Sequence, residues 1–389
     1  MKRSISLEVF EMLIKDKAAA KAERRDTLIT LDGWQFHLKP HGGKGYEFIL
    51  SDGEAHATWA LKKPSAKDPW GVRVSIGSFY LATAGLGKAR AYIDATLERL
   101  GIRYVPTDIS IARIDYCVDI LAPQFTLIPE HFVMHARTKR KDHIATSDQQ
   151  VDGISGRVQT VTIGKTPGRQ IVTYDKRAEI ITHHKTYWWD LWYDTLRREG
   201  GDPYAMYILY RDEIRADAAQ SRVWRIEMRA GKDLLKDRWN IRTWADLFTR
   251  YGDLIREAFE VVRYTIPNGG KNRARWPNHP IWEIAQAEMN AEMFEMREGS
   301  DPNPLKQIQR DEKVRQLEQL ILGTTISHAA LNGKTYEQLP EYFKQVGTLL
   351  DARIKTDPER YAKQLAHAND KYVFVRSTTE KGDRAEGGA

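Results

Sequence analysis

From Thr27 to Ile76 the chain falls into short runs in which apolar and polar residues alternate: Leu28–Leu31, Trp34–Leu38, Tyr46–Leu50, Ala57–Leu61 and Val72–Ile76. A period of two puts every second side chain on one face, which is the pattern of a half-buried strand. Asp32-Gly33, Gly42-Gly43 and Asp52-Gly53 separate the first four runs, and such pairs favour hairpins, so an antiparallel sheet is expected. A helical period precedes it. Residues 1–25 place Ile5, Val9, Met12 and Leu13 on one side and end on Lys21, Arg24 and Arg25. A helix follows over about 87–100 and a strand over about 109–120. Gln159–Ile163 and Arg169–Lys176 read as two strands joined by a turn at Gly164–Gly168, and Val223–Arg229 as another. Residues 177–220 are helical and dense in aromatics. Beyond Gly231 the pattern is one of helices, over about 233–239, 243–264, 279–297, 304–321, 336–353 and 357–368, with a loop at Pro267–Arg275.

These elements predict an α+β fold: an antiparallel-sheet core with packed helices, followed by a mainly helical C-terminal region. The expected divisions are an N-terminal helix at 1–25, the α+β core at 26–232, a helical region at 233–372 and a disordered tail at 373–389. At 389 residues the chain is long enough to bury a sizeable core. No apolar run approaches the 18 residues or so that a membrane span needs, and the first residues do not form a signal-peptide pattern, so the expectation is a cytoplasmic protein without a membrane partner. The single Cys117 excludes an internal disulfide and a multi-cysteine metal site.

Charge narrows the partner class. A net charge of +7 and a pI near 9.2 favour polyanions, because lysine and arginine that neutralise phosphates release condensed counterions. Gly85-Leu-Gly87-Lys88 lacks the spacing of a phosphate loop and reads as a helix start. Among the 11 histidines there is no His-hydrophobic-His triplet. His183 and His184 are adjacent and point to different faces, and His131 and His135 share one helical side without an acidic motif, so both pairs read as structural.

The candidate chemistry lies on three strands. Arg113, Asp115, Cys117 and Asp119 share one face of the first, and Arg225, Glu227 and Arg229 share one face of the last. In the middle strand Tyr174 and Lys176 fall on the same side, beside Arg169 at its start. If the strands are neighbours, Asp115, Asp119 and Glu227 can converge as hard oxygen ligands for Mg²⁺ or Mn²⁺. A phenol titrates near pH 10, so a nucleophilic Tyr174 needs nearby cations or a metal-held phosphate. The alternative is a salt-bridged sheet face, with Asp115 and Asp119 paired to Arg113 and Arg225 and Tyr174 half-buried.

Three segments carry a resemblance over about residues 70–240: Arg113-Ile-Asp115-Tyr-Cys-Val-Asp119, then Gly164 with Arg169-Gln-Ile171-Val-Thr-Tyr174-Asp-Lys176-Arg-Ala-Glu179, then Trp224-Arg225-Ile-Glu227. Their order and separation resemble the trans-acting replication initiators of rolling-circle plasmids, with kin in filamentous phages and in relaxases of conjugative elements. The resemblance implies that the α+β core is a nicking-endonuclease domain, a site-specific nuclease and strand transferase. It implies Tyr174 as nucleophile with Lys176 and Arg169 beside it, and Asp115, Asp119 and Glu227 as the site for Mg²⁺ or Mn²⁺. The implied partners are origin DNA, single-stranded or in a hairpin at the nick with duplex nearby, a host helicase and polymerase, and a second copy of the chain. Arg113, Arg225, Arg229, Arg238, Arg242, Lys271, Arg273 and Arg275 are the expected DNA contacts. The turn Lys165-Thr166-Pro167-Gly168 lacks the serine that many members carry. Two other readings share this sequence: a conjugative relaxase with the same chemistry, and a non-catalytic, sequence-specific DNA-binding regulator.

Overall fold

The computed structural model describes residues 1–53, 57–134, 149–288 and 302–373. Its architecture is α+β. Strands β1 (Thr27–Leu31), β2 (Trp34–Leu38), β3 (Phe48–Asp52), β4 (Ala57–Leu61) and β5 (Val72–Ile76) pair in chain order as an antiparallel meander. Asp32 and Gly33 both take positive φ, 47° and 77°. This is the hairpin turn that Asp-Gly favours, because its twist matches that of the flanking strands. One face of the sheet buries Phe36, Leu38, Leu50, Trp59 and Leu61 against α1 (Leu7–Glu23) and α2 (Ser78–Arg99).

Helix α2 starts earlier than the sequence pattern indicates and is broken at Gly85, whose φ of 79° and ψ of 168° are not helical. The break lets one helix serve two cores. Tyr92 and Leu97, after it, pack on the first sheet. Phe79, before it, packs elsewhere, edge-on to Tyr187 at 4.9 Å.

The second sheet is built from β6 (Arg113–Leu121), β8 (Gln149–Ile154), β9 (Arg157–Gly164), β10 (Arg169–Asp175) and β11 (Val223–Gly231), in the order β6-β11-β10-β9-β8 and antiparallel throughout. The short β7 (Phe132–Met134) stands outside it. Between β10 and β11 lie α3 (Lys176–Thr182), α4 (Tyr187–Glu199), α5 (Pro203–Tyr210), α6 (Asp212–Ala216) and α7 (Ala218–Ser221). Two glycines keep the β9–β10 turn tight, Gly164 within the hairpin and Gly231 where β11 passes it. A Cβ on Gly164 would meet the Arg169 carbonyl at 2.2 Å, and one on Gly231 would meet the Pro167 carbonyl at 2.1 Å.

Tyr116, Val161, Ile171, Trp224, Ile226 and Met228 form the apolar face of this sheet, and α8 (Trp244–Val261) and α9 (Pro280–Glu288) cover it. The division expected between 232 and 233 therefore falls inside one core: Leu234, Leu235, Leu247, Leu254 and Phe259 belong to the same cluster as the strands. An apolar sheet face must be covered, and the chain leaving β11 is the segment at hand. Residues 26–232 in turn hold two sheets with separate cores. The helix expected to reach 264 stops at Val261, because β12 (Val262–Tyr264) pairs with β7.

The C-terminal helices are α10 (Pro302–Leu331), which outruns its expected span, α11 (Leu339–Thr356) and α12 (Pro358–Lys371). They bury little: Ile321 and Leu331 are 64% and 88% exposed, while Ala329 and Tyr342 are covered. The Asp370 carbonyl in α12 lies 2.8 Å from His37 Nε2 of β2. No described helix is long and apolar enough to cross a membrane. His135, residues 289–297 of an expected helix and the tail from 374 lie outside the described residues.

Candidate functional site

Register assembles the site. In antiparallel pairing, opposed residues share a face. Tyr174 stands opposite Arg225, and Arg225 opposite Asp119. One step along, Val172 faces Glu227, which faces Cys117, and at the next Gln170 faces Arg229, which faces Asp115. The three sequence segments therefore do meet on one charged face, with Tyr174 in the row that ends on Asp119.

On that face every carboxylate is held by an arginine. Arg225 is buried, 4% exposed, and grips Asp119 with both arms, Nε to Oδ1 at 2.5 Å and Nη2 to Oδ2 at 2.6 Å. Arg113 donates to Asp115 at 2.6–3.0 Å, and Arg229 Nε donates to Glu227 at 2.7 Å. The salt-bridged alternative is thus realised for Asp115 and Asp119. Two tryptophans of α4, four residues apart and so on one helical face, close the end near Tyr174. Trp192 Nε1 donates to Asp119 at 2.8 Å, and Arg225 lies 4.6 Å over the Trp188 ring. The aromatic run of α4 is visible in the sequence, but nothing in the strands announces that it folds over them.

Lys176 is not in the strand. It opens α3, with Asp175 as the N-cap that accepts from Ala178 N. Its ammonium still lies 5.9 Å over the Tyr174 ring and 4.7 Å over Trp188, and it is ion-paired with Glu179. Burial and the neighbouring Arg225 charge lower the Lys176 ammonium, against the pull of Glu179. Burial pushes the Tyr174 phenol far above its ordinary range. Arg225 draws it down, and Glu227 and Asp119 push it back up. As it stands the phenol is a protonated group beside a cation already neutralised by Asp119.

Arg169 belongs to the opposite face. It stands opposite Ala230, in step with Ile171 and Thr173, so strand alternation turns it away from Tyr174. Asp115 and Asp119 are four strand residues apart, about 13 Å, which is too far for both to hold one small ion. Among the described residues no three His, Cys, Asp or Glu side chains are grouped to hold a metal. Glu227 lies diagonally between the two aspartates. Mg²⁺ commonly takes one or two carboxylates and completes its shell with water and phosphate; Glu227 and Asp115 are held by the half-exposed Arg229 and Arg113, whereas Asp119 is committed to the buried Arg225 and to Trp192.

The expected DNA contacts divide by accessibility. Arg113 and Arg229 are half-exposed on the charged face, and Arg225 is buried beneath it. Arg238 is ion-paired with Glu257. Arg242, Lys271 and Arg275 are exposed. Arg273 is used structurally: its guanidinium donates to the carbonyls of Glu130 and Phe132 and lies 5.1 Å over Trp276.

No protein-family model matches the chain, and no curated protein matches it. Among solved structures it is similar to a rolling circle replication initiator protein from Geobacillus stearothermophilus, at 15% identity over 73% of this chain and 88% of the other, with a TM-score of 0.33. A likeness that loose assigns no chemistry to these side chains.

Proposed function

We propose that the protein is a replication initiator that nicks one strand of origin DNA and keeps the 5′ end on Tyr174. The observation that supports this reading is the row Tyr174–Arg225–Asp119, with Lys176 over the phenol and Glu227 one step along the same face. The phenolic oxygen attacks the scissile phosphorus and the bond to the 3′ oxygen breaks. The phenol loses its proton, and the leaving 3′ oxygen gains one as a free hydroxyl that can prime synthesis. One phosphodiester is exchanged for another, so no water is consumed. In this reading Lys176, over the phenol ring, is the cation that offsets the charge developing at the tyrosine and phosphate oxygens, and Arg225, paired with Asp119, orients that row. Arg113 and Arg229, half-exposed and held only by carboxylates, are the side chains that can turn to neighbouring phosphates. Mg²⁺ or Mn²⁺, held by Glu227 and Asp115, would supply Lewis-acid polarisation of the scissile phosphate. A host helicase and polymerase, and a second copy of the chain, are the partners this reading brings.

The test is incubation with Mn²⁺ and single-stranded or supercoiled DNA from the element that encodes the protein, followed by denaturing electrophoresis. A protein–DNA adduct is expected from wild type and none from Tyr174→Phe, with adduct formation rising steadily from pH 7 to 9 because the phenol is held protonated. Equal nicking by Tyr174→Phe would remove the tyrosine mechanism. The regulator reading draws support from the arginine-held carboxylates, and it predicts specific binding without scission under any divalent ion.

A further inference from the structure

Behind Tyr174, on the apolar face of the second sheet, the Asp175 carboxylate is 3% exposed and shared by two guanidiniums, Arg157 Nη2 at 2.9 Å and Arg222 Nε at 3.6 Å. Its other oxygen caps α3. A third guanidinium nearby, Arg177, is turned to Ser221 Oγ and to the carbonyls of Arg215 and Ala216. Two cations on one carboxylate leave a surplus positive charge. Three buried polar atoms of these residues and their neighbours have no hydrogen-bond partner, Arg157 Nη1, Trp224 Nε1 and Thr173 Oγ1, and Arg222 Nε has only its longer ion-pair contact to Asp175. Trp224 is the register partner of Asp175, and Thr173 precedes it on the same face; both are nine-tenths buried or more. Buried donors are nearly always paired, so a cluster of orphans calls for an acceptor from outside the chain.

The same corner adjoins a cavity. Arg222 Nη1 donates to the Pro123 carbonyl at 3.4 Å, and from Gln124 onward the chain lines an open cavity of about 460 Å³. Phe125 stands edge-on to Trp224 at 5.2 Å and to Tyr264 at 5.4 Å. His131 and His279 complete the lining, and burial lowers both imidazoles, so they are neutral at pH 7. Nδ1 of His279 accepts from Ile281 N at 3.2 Å, which puts the ring proton on Nε2 as a donor. Ile266 forms the rim, and from it springs the loop carrying exposed Lys271 and Arg275, pinned down by Arg273. Aromatic walls, neutral donors and flanking cations suit a base joined to a phosphate.

We propose that this end of the second sheet is a nucleotide-binding site, in which Arg157 and Arg222 take a phosphate oxyanion and the cavity takes the attached base of single-stranded DNA that continues to Tyr174. That the strand continues to a nick rests on the nicking reading; the phosphate-plus-base chemistry does not.

The experiment uses the full chain in EDTA, with fluorescence anisotropy on labelled dA dodecamers across a salt series and a parallel dodecamer carrying 2-aminopurine. Arg157→Gln and Arg222→Gln are each expected to weaken binding about tenfold and to lower the salt slope by roughly one. His279→Ala is expected to relieve 2-aminopurine quenching at unchanged slope. Arg222→Lys keeps a charge beside Asp175 and, if Arg222→Gln does not fold, is expected to lose affinity while retaining the slope. Wild-type affinity and slope in the arginine variants would show that they serve Asp175 alone and would overturn the site. Inorganic phosphate displacing the dodecamer as well as dAMP does would overturn the base half, and dAMP binding as tightly as the dodecamer would replace the strand with a free nucleotide. Nicking is scored separately, so its failure leaves these binding outcomes standing.

Discussion

The two five-stranded antiparallel sheets are built alike and differ in the face each turns away from its core. In the first sheet that face carries Thr30, Gln35, His37, Ser51, Thr58, Arg73 and Ser75 with the apolar Leu28, Ile49 and Ala60 among them, Arg73 being the one full charge and most of the polar residues exposed. In the second it carries Arg113, Asp115, Asp119, Arg225, Glu227 and Arg229 around Tyr174, and α4 lies over one end. Exposed hydroxyls and amides cost nothing to hydrate. A buried guanidinium such as Arg225 loses its hydration, so it persists only where a carboxylate meets it. Stability alone does not call for such a face, since a packed apolar layer of equal volume is often as stable. The difference fits the proposed reading, in which the second sheet carries the chemistry and the first is scaffold.

The strongest way to break the comparison is to remove the buried cation. Arg225→Met leaves Asp119 with only the Trp192 indole, and a loss of about 3–5 kcal/mol is expected in urea unfolding; adding Asp119→Leu should recover most of it. Wild-type stability in the single variant would mean that the pair is solvated and the contrast between the sheets superficial. The first sheet has one buried carboxylate of its own, Asp52, 4% exposed, which accepts from Trp59 Nε1 at 2.8 Å and Ala57 N at 3.3 Å. Asp52→Ala leaves the Trp59 indole unpaired, and a smaller loss of about 1–3 kcal/mol is expected, with no effect on DNA cleavage. An equal or larger loss than in Arg225→Met would reverse the ranking.

Period-two patterning made the strands legible because each sheet has one wet or charged face and one dry face. The i, i+2 rule is enough to put Asp115 with Asp119 on one face of their strand and Arg225 with Glu227 on one face of theirs. What it could not fix is register, which is set by the turn at Gly164–Gly168 and by the β6–β11 contact, far apart in sequence. Register decides that Asp119 meets Arg225, whereas the rise of four strand residues already puts Asp115 and Asp119 too far apart to share one ion. Arg169 was misplaced by proximity in sequence, since five residues from Tyr174 is an odd number and puts it on the other face. Lys176 was misplaced by reading the strand one residue too far, past the Asp175 cap. The 232/233 division failed because the helical period of 243–261 says that α8 is amphipathic, not which apolar surface it covers.

The finest distinction between the sheets lies in how their acids respond to pH. Glu179, at the charged side of the second sheet, receives hydrogen bonds from Lys176 and from Lys185 at 2.7 Å. Burial opposes its charge, but the two ammonium groups outweigh burial and hold the carboxyl below its ordinary value. A folded-state value below the unfolded one gives stability that is complete above the unfolded value, about 4.3, and is lost as pH falls through the folded value. Glu179→Gln should therefore lower the melting temperature by only about 1–3 °C at pH 7, and the gap to wild type should close as the pH falls below about 4. A gap that persists at pH 3 would mean that Glu179 acts through its shape and neutral hydrogen bonds. The ammonium of Lys176 would then lie over Tyr174 without needing the carboxylate, and Glu179→Gln would leave the nicking rate unchanged.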